Sequence, residues 1–201
     1  LNPVAFNISS FAKVADWCDD LVQPKTKGLR KRYECGGTVS YETQPAEVID
    51  AMLETFAGDF YIGADGLISL SCDDLDEPLI TITTDMIIDI QADHHVGALY
   101  EATSVKSRFS SEDHGYADSQ EEADQWDDLD AIDLTGRVIP ADHDLPYVFR
   151  HDQARRLMKR KWHAINPDWK VDLVVDFNGL ELLGERVFRL VYDPFGIDET
   201  F

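Results

Sequence analysis

TQPAEVIDAMLETFAGDFYIGADGLISL, residues 43–70, is the stretch on which the fold turns. Gln44 stands where a helix cap belongs, Pro45 at the first helical position and Glu47 three residues after the cap, and Gly58 supplies a stop. Val48, Ile49, Met52, Leu53 and Phe56 recur at three- and four-residue spacing, which predicts one apolar helix face. Two apolar runs follow, Phe60-Tyr61-Ile62 and Leu67 to Leu70, separated by Gly63-Ala64-Asp65-Gly66, the glycines a tight hairpin requires. The helix is expected to lie across that hairpin. Strands joined by turns, rather than regular β-α-β units, predict an α+β fold of mostly antiparallel sheets with about three helices.

Upstream, Asn7 or Ser9 caps a first helix carrying Phe11, Val14, Ala15, Cys18, Leu21 and Val22 on one side, and Pro24 ends it. Arg32 to Cys35 reads as extended, Gly36-Gly37 as a turn and Thr38 to Tyr41 as the returning strand of a hairpin. Downstream, Leu79 to Thr83, Ile88 to Gln91 and Leu99 to Phe109 are β-like, and Pro140 and Pro146 bound a further short strand. A third helix spans 149–164, with Phe149, Leu157, Met158 and Trp162 as its buried side. Trp169, Val171, Leu173, Val175 and Phe177 alternate with polar residues, the period of a half-buried strand; Asn178-Gly179 turns the chain towards a last strand, Arg186 to Tyr192. The order of elements suggests two subdomains: 1–92, helix, hairpin, helix and hairpin, and 93–201, β-rich.

The 201 residues carry 39 acids against 18 Lys and Arg, a net charge of −21, with 44% apolar residues, enough to bury a core and to exclude disorder throughout. The longest apolar runs, Met86-Ile87-Ile88 and Leu173-Val174-Val175, fall far short of a membrane span of about 20 residues. Leu1 opens the chain without a leader pattern, so the sequence is expected to be a piece of a longer protein. Ten acids and no Lys or Arg lie between Glu112 and Asp133, and with few apolar residues there the segment 110–133 is expected to be a long exposed loop. Eleven basic residues cluster in two stretches, Lys25 to Arg32 and Arg150 to Lys161. The surrounding acidity repels phosphates, so no nucleic acid is expected as partner. The basic helix is better suited to an acidic patch of this or a neighbouring chain, with Arg150, Arg155, Arg156, Lys159 and Arg160 as candidate subunit-interface residues.

Motifs for chemistry do not assemble. Cys18, Cys35 and Cys72 form no CxxC pair, no zinc spacing and no disulfide framework; each is expected to serve as a small buried apolar residue. His94 and His95 are neighbours on a strand and point to opposite faces. The clusters Asp73 to Glu77 and Asp142-His143-Asp144 lack the spacing of a calcium loop, Gly36-Gly37 lacks the Lys-Ser/Thr of a phosphate loop, and no serine sits in a GxSxG elbow. Pairs of carboxylates are uninformative among 39 acids. No cofactor, no metal site and no enzymatic activity are expected.

Several stretches carry a family likeness. Ser10 to Asp20 (SFAKVADWCDD), Arg32 to Val39 (RYECGGTV), Thr43 to Gly58 continued by Gly66-Leu67, and Gln153 to Arg156 followed by Phe177 to Leu180 and Arg186 to Tyr192 occur in the order of a known pattern. In this combination the chain resembles the central tail-tip proteins of long-tailed bacteriophages and prophages, the family of tip attachment protein J of lambda-like phages and of the baseplate hubs of gene transfer agents. The resemblance implies a structural role in a trimeric hub that joins tail tube to tip fibres and supports host attachment. It implies other tail-tip and tail-tube proteins as partners, and a place at the virion tail tip after assembly in the host cytoplasm. It brings no catalytic residue, and it is weakest over 110–133. A second reading, a receptor- or carbohydrate-binding module of the tip, rests on Tyr116 and Trp126 in the acidic segment.

Overall fold

The computed structural model describes residues 5–24, 28–63, 65–72, 78, 80–94, 100–112, 115–116, 123–182 and 187–201. Along the chain run α1 (Ile8–Asp19), β1 (Leu21–Val22), β2 (Arg30–Lys31), α2 (Pro45–Glu54), β3 (Asp59–Ile62), β4 (Ile68–Ser71), β5 (Ile80–Thr83), β6 (Ile87–His94) and β7 (Ser104–Arg108). There follow β8 (Ala123–Asp127), α3 (Leu129–Thr135), β9 (Pro140–Asp144), α4 (His151–Ile165), β10 (Trp169–Val175), β11 (Phe188–Tyr192) and β12 (Ile197–Thr200). The fold is α+β; among the described residues five strand pairs are antiparallel and two, β5 with β11 and β7 with β9, are parallel.

The chain divides into two units that interleave: Leu1–Val14, Asp59–His94 and Trp169–Phe201 form one, Ala15–Gly58 and His95–Asp168 the other. Chain order suggests a single cut at 92/93, but strand pairing groups the residues otherwise, because β10 returns to β6 and β11 to β5.

In the first unit β11 lies between β12 and β5, and Ile82, Leu190 and Ile197 are the buried centre of its core. The ribbon of β6 and β10 pairs Trp169 with His94 through Val175 with Ile87, and its half-buried side chains, Trp169, Val171, Leu173 and Val175, pack against that core. The alternation read from the sequence is thus the alternation of burial along β10. The predicted hairpin of β3 and β4 forms, with Ile62 opposite Ile68 and Gly66 at φ +73° in its turn. The start of α1 packs on it. Phe11 lies 6.1 Å from Phe60 and 5.8 Å from Phe6, the Asn7 amide donates to the Ile68 carbonyl at 2.9 Å, and the Leu70 amide donates to Ser10 Oγ at 3.0 Å. The second helix falls in the other unit.

In the second unit α4 packs against a sheet of order β8-β7-β9. Leu157 and Ala154 join Tyr33, Phe109, Leu145 and Val148 in one buried cluster; Met158 and Trp162 join Val105 and Ala131 in another. Three expectations are corrected here. Leu21 and Val22 leave the first helix and pair with Lys31 and Arg30. Gly36-Gly37 makes no hairpin: residues 33–40 pair with no strand, and the Gly36 amide donates to the Tyr147 carbonyl at 3.0 Å. The glycines are needed for approach, since a Cβ on Gly37 would stand 2.5 Å from the Tyr147 ring and one on Gly36 3.1 Å from Phe149. Helix α2 does end ahead of Gly58, whose amide donates to the Leu53 carbonyl at 2.8 Å and which leaves room for the Phe56 ring; Ala57 beside it is left-handed, at φ +52°. Finally, the acidic segment is not one loop. It contributes β8, and Asp128 caps α3 by accepting from the Ala131 amide at 2.7 Å, which brings the α-helices among the described residues to four.

Candidate functional site: the basic helix and its anchor

The candidate interface residues sit on α4, and the structure separates them into two groups. Arg150, at the N-cap position, is completely buried. Its Nη1 donates to the Lys31 carbonyl at 2.8 Å and to Glu34 Oε2 at 2.6 Å, and its Nη2 donates to Asp152 Oδ2 at 2.8 Å. One helical turn on, Arg156 Nη1 donates to Asp152 Oδ2 at 3.0 Å, and its Nη2 donates to the Arg32 carbonyl. Between them buried Gln153 closes a reciprocal pair with Glu34, accepting from its amide at 3.2 Å and donating to its carbonyl at 2.9 Å, and donates also to the Thr55 carbonyl at 2.8 Å. The Arg32 guanidinium lies 3.6 Å over the Trp17 ring and pairs with Asp20 at 3.3 Å.

The two basic stretches of the sequence therefore meet each other. Backbone carbonyls of Lys31, Arg32 and Glu34 and the carboxylates of Glu34, Asp152 and Asp20 absorb the charge that would otherwise repel. Burial opposes the charge on Arg150, but hydrogen bonds to Asp152 and Glu34 outweigh it and raise its pKa further. Burial likewise favours the neutral form of Asp152, and the two guanidinium groups overcome it and hold the carboxyl below its ordinary range. Arg150 and Arg156 are thus internal anchors of the segment from Arg30 to Glu34. Arg155 and Lys159 face outward, and Arg160 is half-buried.

The other polar candidates do not converge. Among the described residues no three His, Cys, Asp or Glu side chains are placed to hold a metal ion. Asp142 and Asp144 are exposed while His143 between them is buried, as strand alternation in β9 dictates. His143 Nε2 lies 3.6 Å from Glu54 Oε2. The His94 ring lies 4.3 Å from that of Trp169, tilted by 38°. His95, His114 and the cluster 73–77 lie outside the described residues. None of the three cysteines is fully buried: Cys18 is half-buried against the cluster of Tyr33, Phe109 and Leu157, Cys72 is half-buried, and Cys35 is exposed, which corrects the expectation of buried apolar filler. Trp126 is half-buried with its ring 5.3 Å from Trp162, part of the core beneath α4, which leaves Tyr116 as the exposed aromatic of the acidic segment.

Sequence reasoning missed Gln153, Glu34 and Asp152 as partners. A signal existed: Gln153 precedes Leu157 by four residues and so shares its buried face.

No protein-family model and no curated protein matches the sequence. Among solved structures, the chain is similar to a tail protein from Neisseria meningitidis, at 12% identity and a TM-score of 0.54 over 98% of this chain and 61% of that one. It is also similar to the 43 kDa tail protein of prophage MuSo2 from Shewanella oneidensis, with 9% identity and a TM-score of 0.49 over 81% and 47% of the two chains. The prophage tail protein gp18 from Listeria monocytogenes aligns over 89% and 51%, at 12% identity and a TM-score of 0.35. The chain spans between 47% and 61% of the length of these proteins. At such identity the likeness to the Neisseria protein is one of fold, and it takes in almost the whole chain.

Proposed function

We propose that this chain is a non-enzymatic structural module of a phage or prophage tail. Within the tail it forms part of the tip hub that joins the tube to the tip fibres and supports host attachment. The observation that carries the first statement is the fold shared with the tail protein from Neisseria meningitidis over 98% of the chain. The tip role rests on the ordered motifs at 10–20, 32–39, 43–67 and 153–192 that resemble the tail-tip family. A homotrimer, with other tail-tip and tail-tube proteins as partners, is the assembly this reading entails, in particles put together in the host cytoplasm.

Of the five basic residues considered for subunit contact, Arg155 and Lys159 keep that role, because they face outward, while Arg150 is buried and half-buried Arg156 is bound to Asp152 and the Arg32 carbonyl. A ring of identical subunits brings unlike patches together, so basic α4 of one copy would meet acidic surface of the next. Cross-linking of amines to carboxylates in purified particles, read by mass spectrometry, tests this. Cross-links from Lys159 to acids of an identical chain, and from the chain to tail-tube protein, are expected. Absence of the chain from purified particles would remove the tail reading. Its presence with cross-links to capsid protein alone would remove the tip.

A further inference from the structure

Within its unit, helix α2 leaves part of its apolar side uncovered: Val48, Ala51 and Leu53 are half-buried, whereas Ile49 and Met52 are not. None of the residues Pro45–Glu54 is buried, although six of the ten are Ala, Val, Ile, Met or Leu. Ile49 and Met52, three residues apart and hence on one face, are 46% and 39% exposed. The segment leading into the helix adds Val39 and Tyr41, both exposed. A helix of ten residues is marginal on its own and normally owes its stability to the packing of such a face. Charge tells what would cover it. Glu42, Glu47 and Asp50 stand among these apolar side chains, and no Lys or Arg occurs from Tyr33 to Val105.

We propose that the exposed face of α2 docks a basic amphipathic segment of a different polypeptide, with apolar anchors at helical spacing flanked by Lys or Arg. A second copy does not fit. Pairing α2 with itself would oppose Glu47 and Asp50 to like charges, and the outward basic residues of α4, Arg155 and Lys159, come with no exposed large apolar side chain on that helix. The inference needs only this face and stands apart from the tail reading.

The probe is a synthetic Leu/Lys peptide longer than about 15 residues, with Leu at i, i+3, i+4 and i+7 so that it holds a helix. A control peptide carries Glu in place of each Lys. Titration into the 201-residue chain is followed through the methyl signals of Ile49 and Met52. Shifts at both methyls are expected with the Lys peptide and none with the Glu peptide. Affinity should fall about tenfold or more in I49S/M52S, and again in E47K/D50K. Unchanged affinity in I49S/M52S would overturn the proposal, reducing the binding to attraction by a protein of net charge −21. Self-association abolished by I49S/M52S would overturn it in favour of a second copy. If circular dichroism shows I49S/M52S unfolded, E47K/D50K decides alone, and unchanged affinity there rejects the docking face.

Discussion

Helices α4 and α2 invert what their compositions suggest. With five Lys or Arg in fifteen residues, α4 looks like a surface helix, yet Gln153, Ala154, Leu157, Met158 and Trp162 are buried along it, as is Arg150 at its cap. The more apolar α2 buries none of its ten residues. The difference teaches that amphipathic pattern assigns an element, while the supply of partners decides its burial. Helix α4 finds β7, β8 and the carbonyls of Lys31 to Glu34. Helix α2 finds ties chiefly at its C-terminal end, where the Thr55 hydroxyl donates to the Met52 carbonyl at 2.7 Å and Glu54 stands near His143.

The sharpest way to break this contrast is Arg150→Ala. It removes the cation between Glu34 and Asp152 and should cost about 3–5 kcal/mol in urea unfolding, as for a broken buried ion pair. A loss below about 1 kcal/mol would mean that α4 does not depend on its polar anchor. Next comes a matched pair: Leu157→Ala in α4 should cost about 3 kcal/mol through cavity formation. Ile49→Ala in α2 should stay within about 0.5 kcal/mol, and equal losses would erase the distinction.

The pH response is smaller and separates the two ends of the network. Burial holds the His143 imidazole below its ordinary 6.5, with Lys161 acting in the same sense and Glu54 and Asp144 opposing. A group kept neutral by the fold gives its stability above the unfolded value, so stability should fall as pH drops below 6.5 towards the lowered folded value. In His143→Gln that slope should flatten. Asp152, held below its ordinary 3.8, gives stability that is lost only as pH falls from there through its folded value. The smallest effect on stability is expected for R155E/K159E, within about 0.5 kcal/mol, while assembly of the full-length protein should weaken.

The legible parts of the sequence were those whose cause is local. The hairpin of β3 and β4 and the alternation of β10 follow from spacing and glycines within a few residues, and so does the existence of α4. What stayed hidden depends on distant partners. The parallel pairs of β5 with β11 and β7 with β9 join segments remote in sequence, and they, not chain order, define the units. Gly36-Gly37 carries the composition of a turn, but its reason lies in the rings of Tyr147 and Phe149 more than a hundred residues away. Arg150 was read as surface because a buried guanidinium is recognisable only once Glu34 and Asp152 are seen beside it.

The central claim, that the chain is a structural module of a tail and sits at its tip, is met most directly by immunogold electron microscopy of particles from the organism that encodes it. With antibodies raised against these 201 residues, label is predicted at one end of the tail, the end distal to the capsid. Label on capsids, or intact tailed particles carrying none, would contradict it.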